Sequence, residues 1–298
     1  MRASPLPAIL LLLTAVTLWG GNFVIGRAVR AEVPPVALSA LRWALAGALL
    51  LPFVWRDLWT RRGLVRAHWP LLLGLSVTGL VVFNAVAYLA LRWTGSINAA
   101  LANSTIPGFV LLFAWLMDGE RPRGVQLAGL AVSAAGVAVM LARGDPVALA
   151  AQGFNPGDAL ILTAMASWGI YTVLLRRLPP GGFPGLALLA VLIGIAVPIL
   201  AIGAAIEQAV DTVKLQASAT TLWAVLYTAL AASLAAYLAW NAAVGMIGPQ
   251  AAAPFLHLIP LANAAIAVPA LGESLRPYHA VGFVLIVTGI VVATRPRG

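Results

Sequence analysis

The sequence predicts an all-α integral membrane protein: ten transmembrane helices, arranged as two inverted five-helix repeats around a central cavity. Three observations predict it. First, 62% of the 298 residues are hydrophobic and only 9% are charged, whereas a soluble domain is nearer half apolar and a quarter charged. So few charges cannot clothe a water-facing surface of this size, so lipid must cover most of it. Second, the apolar residues fall into runs close to the ~20 residues that a helix needs to cross a ~30 Å hydrocarbon core. Third, the chain repeats itself in order and spacing.

The runs place helices at 7–26, 35–55, 69–91, 95–117, 123–142, 157–176, 184–206, 219–242, 248–270 and 276–294. Short connections rich in Pro, Gly and Arg separate them, such as Val33-Pro34-Pro35 and Pro179-Pro180-Gly181-Gly182. The third and fourth helices are divided only by Arg92 to Gly95. The first run follows Arg2 and has the look of a signal peptide, but it continues through Val24-Ile25 with no small-residue cleavage site after a short apolar core, so it reads as a retained helix.

Charge orients the helices. With the N-terminus inside, eleven Lys and Arg fall on the inner side and six on the outer, with Arg42 within a helix. Excess positive charge stays cytoplasmic, so both termini read as cytoplasmic. The net charge of +9 is scattered over short loops and forms no continuous basic face. It therefore speaks for topology and lipid headgroups, not for nucleic acid. There is no Cys, which excludes disulfides, thiolate chemistry and Cys-ligated metals.

The repeat is read at two offsets. From Gly95 onward the offset is 153: Ala99-Ala100 meets Ala252-Ala253, Pro107 meets Pro260, Gly119-Glu120 meets Gly272-Glu273, and Gly129 and Gly136 meet Gly282 and Gly289. Earlier the offset is 149: Trp19-Gly20 meets Trp168-Gly169, Arg27 meets Arg176, and Ala87-Tyr88-Leu89-Ala90 meets Ala236-Tyr237-Leu238-Ala239. Residues 1–146 and 147–298 are thus two copies of a five-helix unit. An odd number of helices per copy forces opposite orientations, an arrangement typical of secondary transporters, whose sites lie where the halves meet.

Three stretches carry a family resemblance: Thr17-Leu18-Trp19-Gly20-Gly21-Asn22-Phe23, Ala40-Leu41-Arg42-Trp43, and the Gly-Glu turns after Pro107 and Pro260. Over nearly its whole length the chain resembles the drug/metabolite transporter superfamily, specifically the EamA-type exporters, and among them the bacterial inner-membrane exporters of aromatic and other amino acids. The resemblance implies ten helices, cytoplasmic termini and a cavity lined by helices 1, 3, 4, 6, 8 and 9.

Polar and aromatic side chains inside the spans carry the chemistry, because hydrocarbon tolerates them poorly. The candidates for substrate binding are Trp19, Asn22, Phe23, Asn84, Tyr88, Asn103, Trp168, Tyr171, Tyr237 and His257. Indole and phenol rings stack on a solute and still offer a hydrogen bond; carboxamides bind an ammonium or a carboxylate without a charge of their own. The plainer alternatives are headgroup anchoring for Trp and Tyr near helix ends, including Trp43, and interhelical glue for Asn. Pro107 and Pro260 sit mid-helix and are expected to kink it, shaping a gate. Arg42 lies about seven residues into its helix, roughly 10 Å along it. It is expected to snorkel outward or to pair near the outer face, in a gating or structural role. Glu120 and Glu273 read as helix-turn electrostatics.

No Asp or Glu lies near the centre of a span, so facilitated diffusion, exchange or coupling through His257 is expected, in that order. There is no Walker loop, metal cluster or catalytic triad pattern. No enzyme activity, metal or cofactor is expected. The partners are a small solute, in the first place amino acids, and membrane lipids, with the protein acting as a monomer by alternating access. Nucleotide sugars and phosphorylated compounds would want paired cations, and Arg42 stands alone. A membrane enzyme or a lipid scramblase is the remaining alternative class.

Overall fold

The structure, a computed structural model, describes residues 6–145, 147, 155–247 and 253–293. Among these residues every regular element is helical. In chain order they are α1 (Leu6–Ala28), α2 (Pro35–Thr60), the short α3 (Arg62–Ala67), α4 (Trp69–Ala90) and α5 (Ser96–Asp118). Next come α6 (Gly124–Leu141), α7 (Pro156–Leu175), α8 (Gly185–Val210) and α9, which begins at Ala219 and ends at Ile247. A 3-10 segment (Ala253–Leu258) leads into α10 (Ile259–Leu271), and α11 (Pro277–Ala293) closes the described chain. Seven helices are long and apolar enough to cross a membrane: α1, α2, α4, α5, α7, α8 and α9. The apolar stretches Gly124–Met140, Ile259–Leu271 and Pro277–Gly289 are shorter.

Local chemistry sets the ends. Asn155 Oδ1 accepts from the Gly157 N–H at 2.8 Å and Ser218 Oγ from the Thr221 N–H at 3.1 Å, capping α7 and α9. Gly119 and Gly272, equivalent in the repeat, both end their helices with φ of 71° and 65°. Glycine reaches that left-handed region without a Cβ penalty.

Several boundaries differ from the hydropathy reading. α2, α8 and α9 run past their predicted ends, because a helix continues beyond the hydrocarbon while its backbone bonds are met. α3 falls where a loop was expected. The expected kinks at Pro107 and Pro260 take another form. Each proline is the second residue of a helical segment, preceded by a 3-10 turn at Asn103–Thr105 or Ala253–Leu258. A proline there loses no helical bond, since that N–H has no intrahelical acceptor. The break lies in the 3-10 turn before it.

The helices pack crosswise between the halves. α1 lies against α10, and α7 against α5. A Cβ at Gly20 would fall 2.8 Å from the Asn263 nitrogen; at the equivalent Gly169 it would fall 2.8 Å from the Phe109 Cβ. α6 and α11 meet in the same reciprocal way. A Cβ at Gly136 would meet the Gly282 carbonyl at 2.7 Å, and at Gly289 the Gly129 carbonyl at 2.4 Å. Glycine at these points lets two backbones touch, as helices in lipid commonly do.

Candidate solute-binding site

The centre of the site is built by two π turns. α4 widens at Val77–Val82 and α9 at Tyr227–Ala235, stretches that overlap at the 149-residue offset. A π turn leaves carbonyls short of a partner, and such turns gather at functional sites. Here side chains fill them. Asn84 Nδ2 donates to Leu80 O at 3.1 Å and to Gly79 O at 3.4 Å; Ser233 Oγ, at the equivalent position, donates to Thr228 O at 2.8 Å. Each residue is thereby left with an oxygen aimed inward as an acceptor.

Arg42 fills the space between them. It is 5% exposed. Its Nε donates to Ser233 Oγ at 2.6 Å, and its Nη1 to Tyr88 Oη at 2.8 Å, Asn84 Oδ1 at 2.9 Å and Asn22 Oδ1 at 3.2 Å. Tyr88 Oη in turn donates to Asn22 Oδ1 at 2.7 Å. The guanidinium carbon also sits 4.9 Å from the centre of the Trp43 ring, and Trp43 is buried, not an interfacial anchor. The expected snorkelling or acid pairing of Arg42 is thus replaced by bonds to neutral groups from α1, α4 and α9. It forms no ion pair among the described residues. The reason is register: at its depth in α2 the side chain meets the two capped π turns before it could reach either surface.

The second half answers with rings. Trp168 packs on Phe83 with centroids 4.6 Å apart and on Tyr171 at 4.8 Å. Tyr171 and Tyr237 pack in the same apolar core. These tyrosines are the equivalents of Asn22 and Tyr88, and Val191 is the equivalent of Arg42. Trp19 donates from Nε1 to Ala232 O at 3.0 Å and packs on Trp240 at 5.5 Å. Phe23 is buried in the apolar core with Tyr88 and Leu91. Asn103, in the 3-10 turn before Pro107, holds its Oδ1 buried with no hydrogen-bond partner among the described residues. The His257 side chain lies outside the described residues.

The two membrane-facing ends are tied differently. At the end holding Arg92, the Glu273 carboxylate accepts from the N–H groups of Ser96 and Ile97 at 2.8 and 3.1 Å, on the first turn of α5. Glu207 does the same for Val36 and Ala37 on α2, at 2.9 Å each. Arg92 pairs with Asp211 at 2.7 Å. Burial alone would raise the Asp211 pKa, but the Val213 N–H and the Arg92 guanidinium outweigh it and hold the carboxyl below its ordinary range. The buried Asp158, in the first turn of α7, accepts from Thr94 Oγ1 at 2.6 Å, and His279 Nε2 lies 3.0 Å from Asn98 Oδ1. At the opposite end Arg176, itself half-exposed, pairs with the exposed Glu120 and with the less exposed Asp118, both at 3.1 Å.

Sequence reasoning passed over Ser233, Tyr227, Trp240 and Asp158. Tyr227 donates to Leu18 O at 3.0 Å, and its hydroxyl occupies the place a Cβ at Gly21 would take, 2.1 Å away. The repeat offset was the signal that finds Ser233, since it stands opposite Asn84.

Comparisons with known proteins bear on the family and the fold. The model of the EamA-like transporter family matches residues 6–142 and again 155–295. An uncharacterized transporter of Archaeoglobus fulgidus is 27% identical over 96% of each chain. A Salmonella typhimurium protein named as a probable amino-acid metabolite efflux pump is 28% identical over 95% of this chain and 93% of its own. An Escherichia coli protein named as an uncharacterized inner membrane transporter is 28% identical over 93% of this chain and 87% of its own. A solved crystal structure superposes with a TM-score of 0.59 over 99% of this chain and 98% of its own, at 23% identity, and shares the fold.

Proposed function

The chain belongs to the EamA-like transporter family, and from that premise we propose that it exports amino acids, aromatic ones included, and related small metabolites by alternating access. The observation that carries the reading is the convergence, between the halves, of neutral hydrogen-bonding groups on one side (Asn22, Asn84, Tyr88) and stacked rings on the other (Trp168, Tyr171). An amino acid presents the complement of both. Trp19, Phe23, Asn103, Tyr237 and His257 complete the proposed binding set. The efflux-pump names of relatives near 27% identity lend support for the solute class.

In this reading the ten apolar helices form two inverted five-helix repeats, 1–146 and 147–298. The crosswise packing of α1 on α10 and of α7 on α5, at equivalent glycines, supports that arrangement. The halves rock about their interface, with the 3-10 turns before Pro107 and Pro260 as the bending points. Both termini lie on the cytoplasmic side of a bacterial inner membrane and the monomer is the working unit. Solutes carrying phosphate are poorly served, since Arg42 is the one cation within the cluster described.

Uptake of labelled amino acids into proteoliposomes tests the reading. Trp, Phe or Leu is expected to enter faster than into protein-free liposomes, and Trp168→Ala to slow it at least about tenfold, the loss of a contact worth ~1.4 kcal/mol. Equal flux of every amino acid with and without protein sinks the substrate class.

A further inference from the structure

Resting on the reading of this site as the solute site, we infer that Arg42 and Asn22 together bind an anionic carboxylate of the solute. A guanidinium whose only task is to bolt helices together is best served by a carboxylate. This one is buried, yet Ser233, Tyr88, Asn84 and Asn22 offer it only neutral oxygens. Its charge is solvated and left uncancelled, and burying an uncancelled charge is costly. A site that receives an anion during its working cycle explains why the charge is kept.

The donors support the same assignment. Arg42 Nη2 and Asn22 Nδ2 donate to nothing among the described residues. The side-chain polar atoms there that are both unbonded and sealed from water are Ser39 Oγ, Trp43 Nε1, Asn103 Oδ1 and two Arg92 nitrogens. Arg42 Nη2 and Asn22 Nδ2 are unbonded but not among these, so each keeps some accessible surface. Because both Oδ1 of Asn22 and Nη1 of Arg42 are bound within the cluster, the spare groups are N–H donors of adjoining residues, bonded to one another at 3.2 Å. Adjoining donors with one positive charge fit a carboxylate, which accepts on two oxygens. They fit an amide or a cation poorly. The capped π turns hold the acceptors that fix the guanidinium plane, so the anchor is in place before solute arrives.

The test uses purified protein and two probes alike but for charge, phenylacetate and phenylacetamide, read by the shift in thermal unfolding. Phenylacetate is expected to raise the midpoint in a saturable way and phenylacetamide, at the same concentrations, to leave it unchanged. Asn22→Ala is expected to weaken phenylacetate about tenfold, the loss of one charge-assisted hydrogen bond, and Arg42→Lys to keep a preference for the acid. Arg42→Met, where it folds, is expected to bind neither. Equal stabilisation by acid and amide in the wild type overturns the assignment without any variant, as does full retention of the acid preference in folded Arg42→Met. The outcome is separable from the transport reading. Carboxylate binding with no amino-acid flux keeps the anchor and removes the substrate class. Amino-acid flux in which amino amides compete as well as amino acids does the reverse.

Discussion

The two halves share a backbone and differ in what they mount on it. At the π turns, Asn84 and Ser233 cap equivalent carbonyls. At the helix crossings, Gly20 and Gly169, and Gly136 and Gly289, admit equivalent neighbours. Yet the first half sets Asn22 and Arg42 where the second sets Tyr171 and Val191, while Tyr88 and Tyr237 match. The pattern is kept at the glycine crossings and π turns and changes at Asn22 and Arg42, which the proposed reading turns toward the solute. A solute with a polar end and an apolar end would need such a site. The close-packed positions should therefore respond alike in both halves, and the mounted side chains should not.

The largest effect is expected where two backbones touch. Gly289→Ala puts a Cβ 2.4 Å from both the Gly129 carbonyl and the Ser133 nitrogen, and Gly136→Ala puts one 2.7 Å from the Gly282 carbonyl. Backbone cannot rotate aside as a side chain can, so the overpacking cost falls at or above the ~3 kcal/mol upper end of the usual range. Both variants are expected to lower the thermal midpoint in detergent, Gly289→Ala the more. A wild-type midpoint for Gly289→Ala would break the reciprocal contact.

A middle effect is expected at the π turns. Asn84→Ala strips an acceptor from Arg42 and two donor bonds from its own helix; losing a bond to a charged group costs about 1.5–3 kcal/mol. If both halves use one device, serine suffices at either position. Asn84→Ser is then expected to regain about half of the lost stability in the same melting assay. Asn84→Ser melting with Asn84→Ala would show that the halves solve the π turn by different means.

Seven of the expected spans were legible from hydropathy because a lipid-covered helix has little freedom in composition. The repeat was legible from residues at fixed offsets, but which helices cross at those glycines was not. Asn22, Asn84 and Tyr88 stood out because polar groups are rare in such spans. The π turns were not legible: they depend on what fills the widened turn, and nothing in Val77–Val82 departs from an ordinary apolar helix. Ser233 was lost among the small residues of an Ala-rich stretch. Arg42 was visible as a residue and misread as a position, because its depth was measured from the helix end while its partners came from three other helices.

The smallest effect separates the two Gly-Glu turns, which the sequence presents as equals. Glu273 places its carboxylate on two N–H groups at the start of α5, where it meets the positive end of the helix and caps it. Glu120 instead meets Arg176 at 3.1 Å with its side chain 58% exposed. Water competes for that pair, and exposed ion pairs contribute about 0–1 kcal/mol; a capping contact contributes ~1 kcal/mol. Glu273→Gln is expected to lower the melting midpoint measurably, while Glu120→Gln leaves it within error in low salt and in high salt. Both contacts cross between the halves, but the charge at 273 acts on buried-side backbone N–H groups and the charge at 120 on an exposed arginine, so the first couples the halves more strongly. Equal losses from both variants would mean that the turns are equivalent in energy as well as in sequence, and the contrast between the two ends would fall.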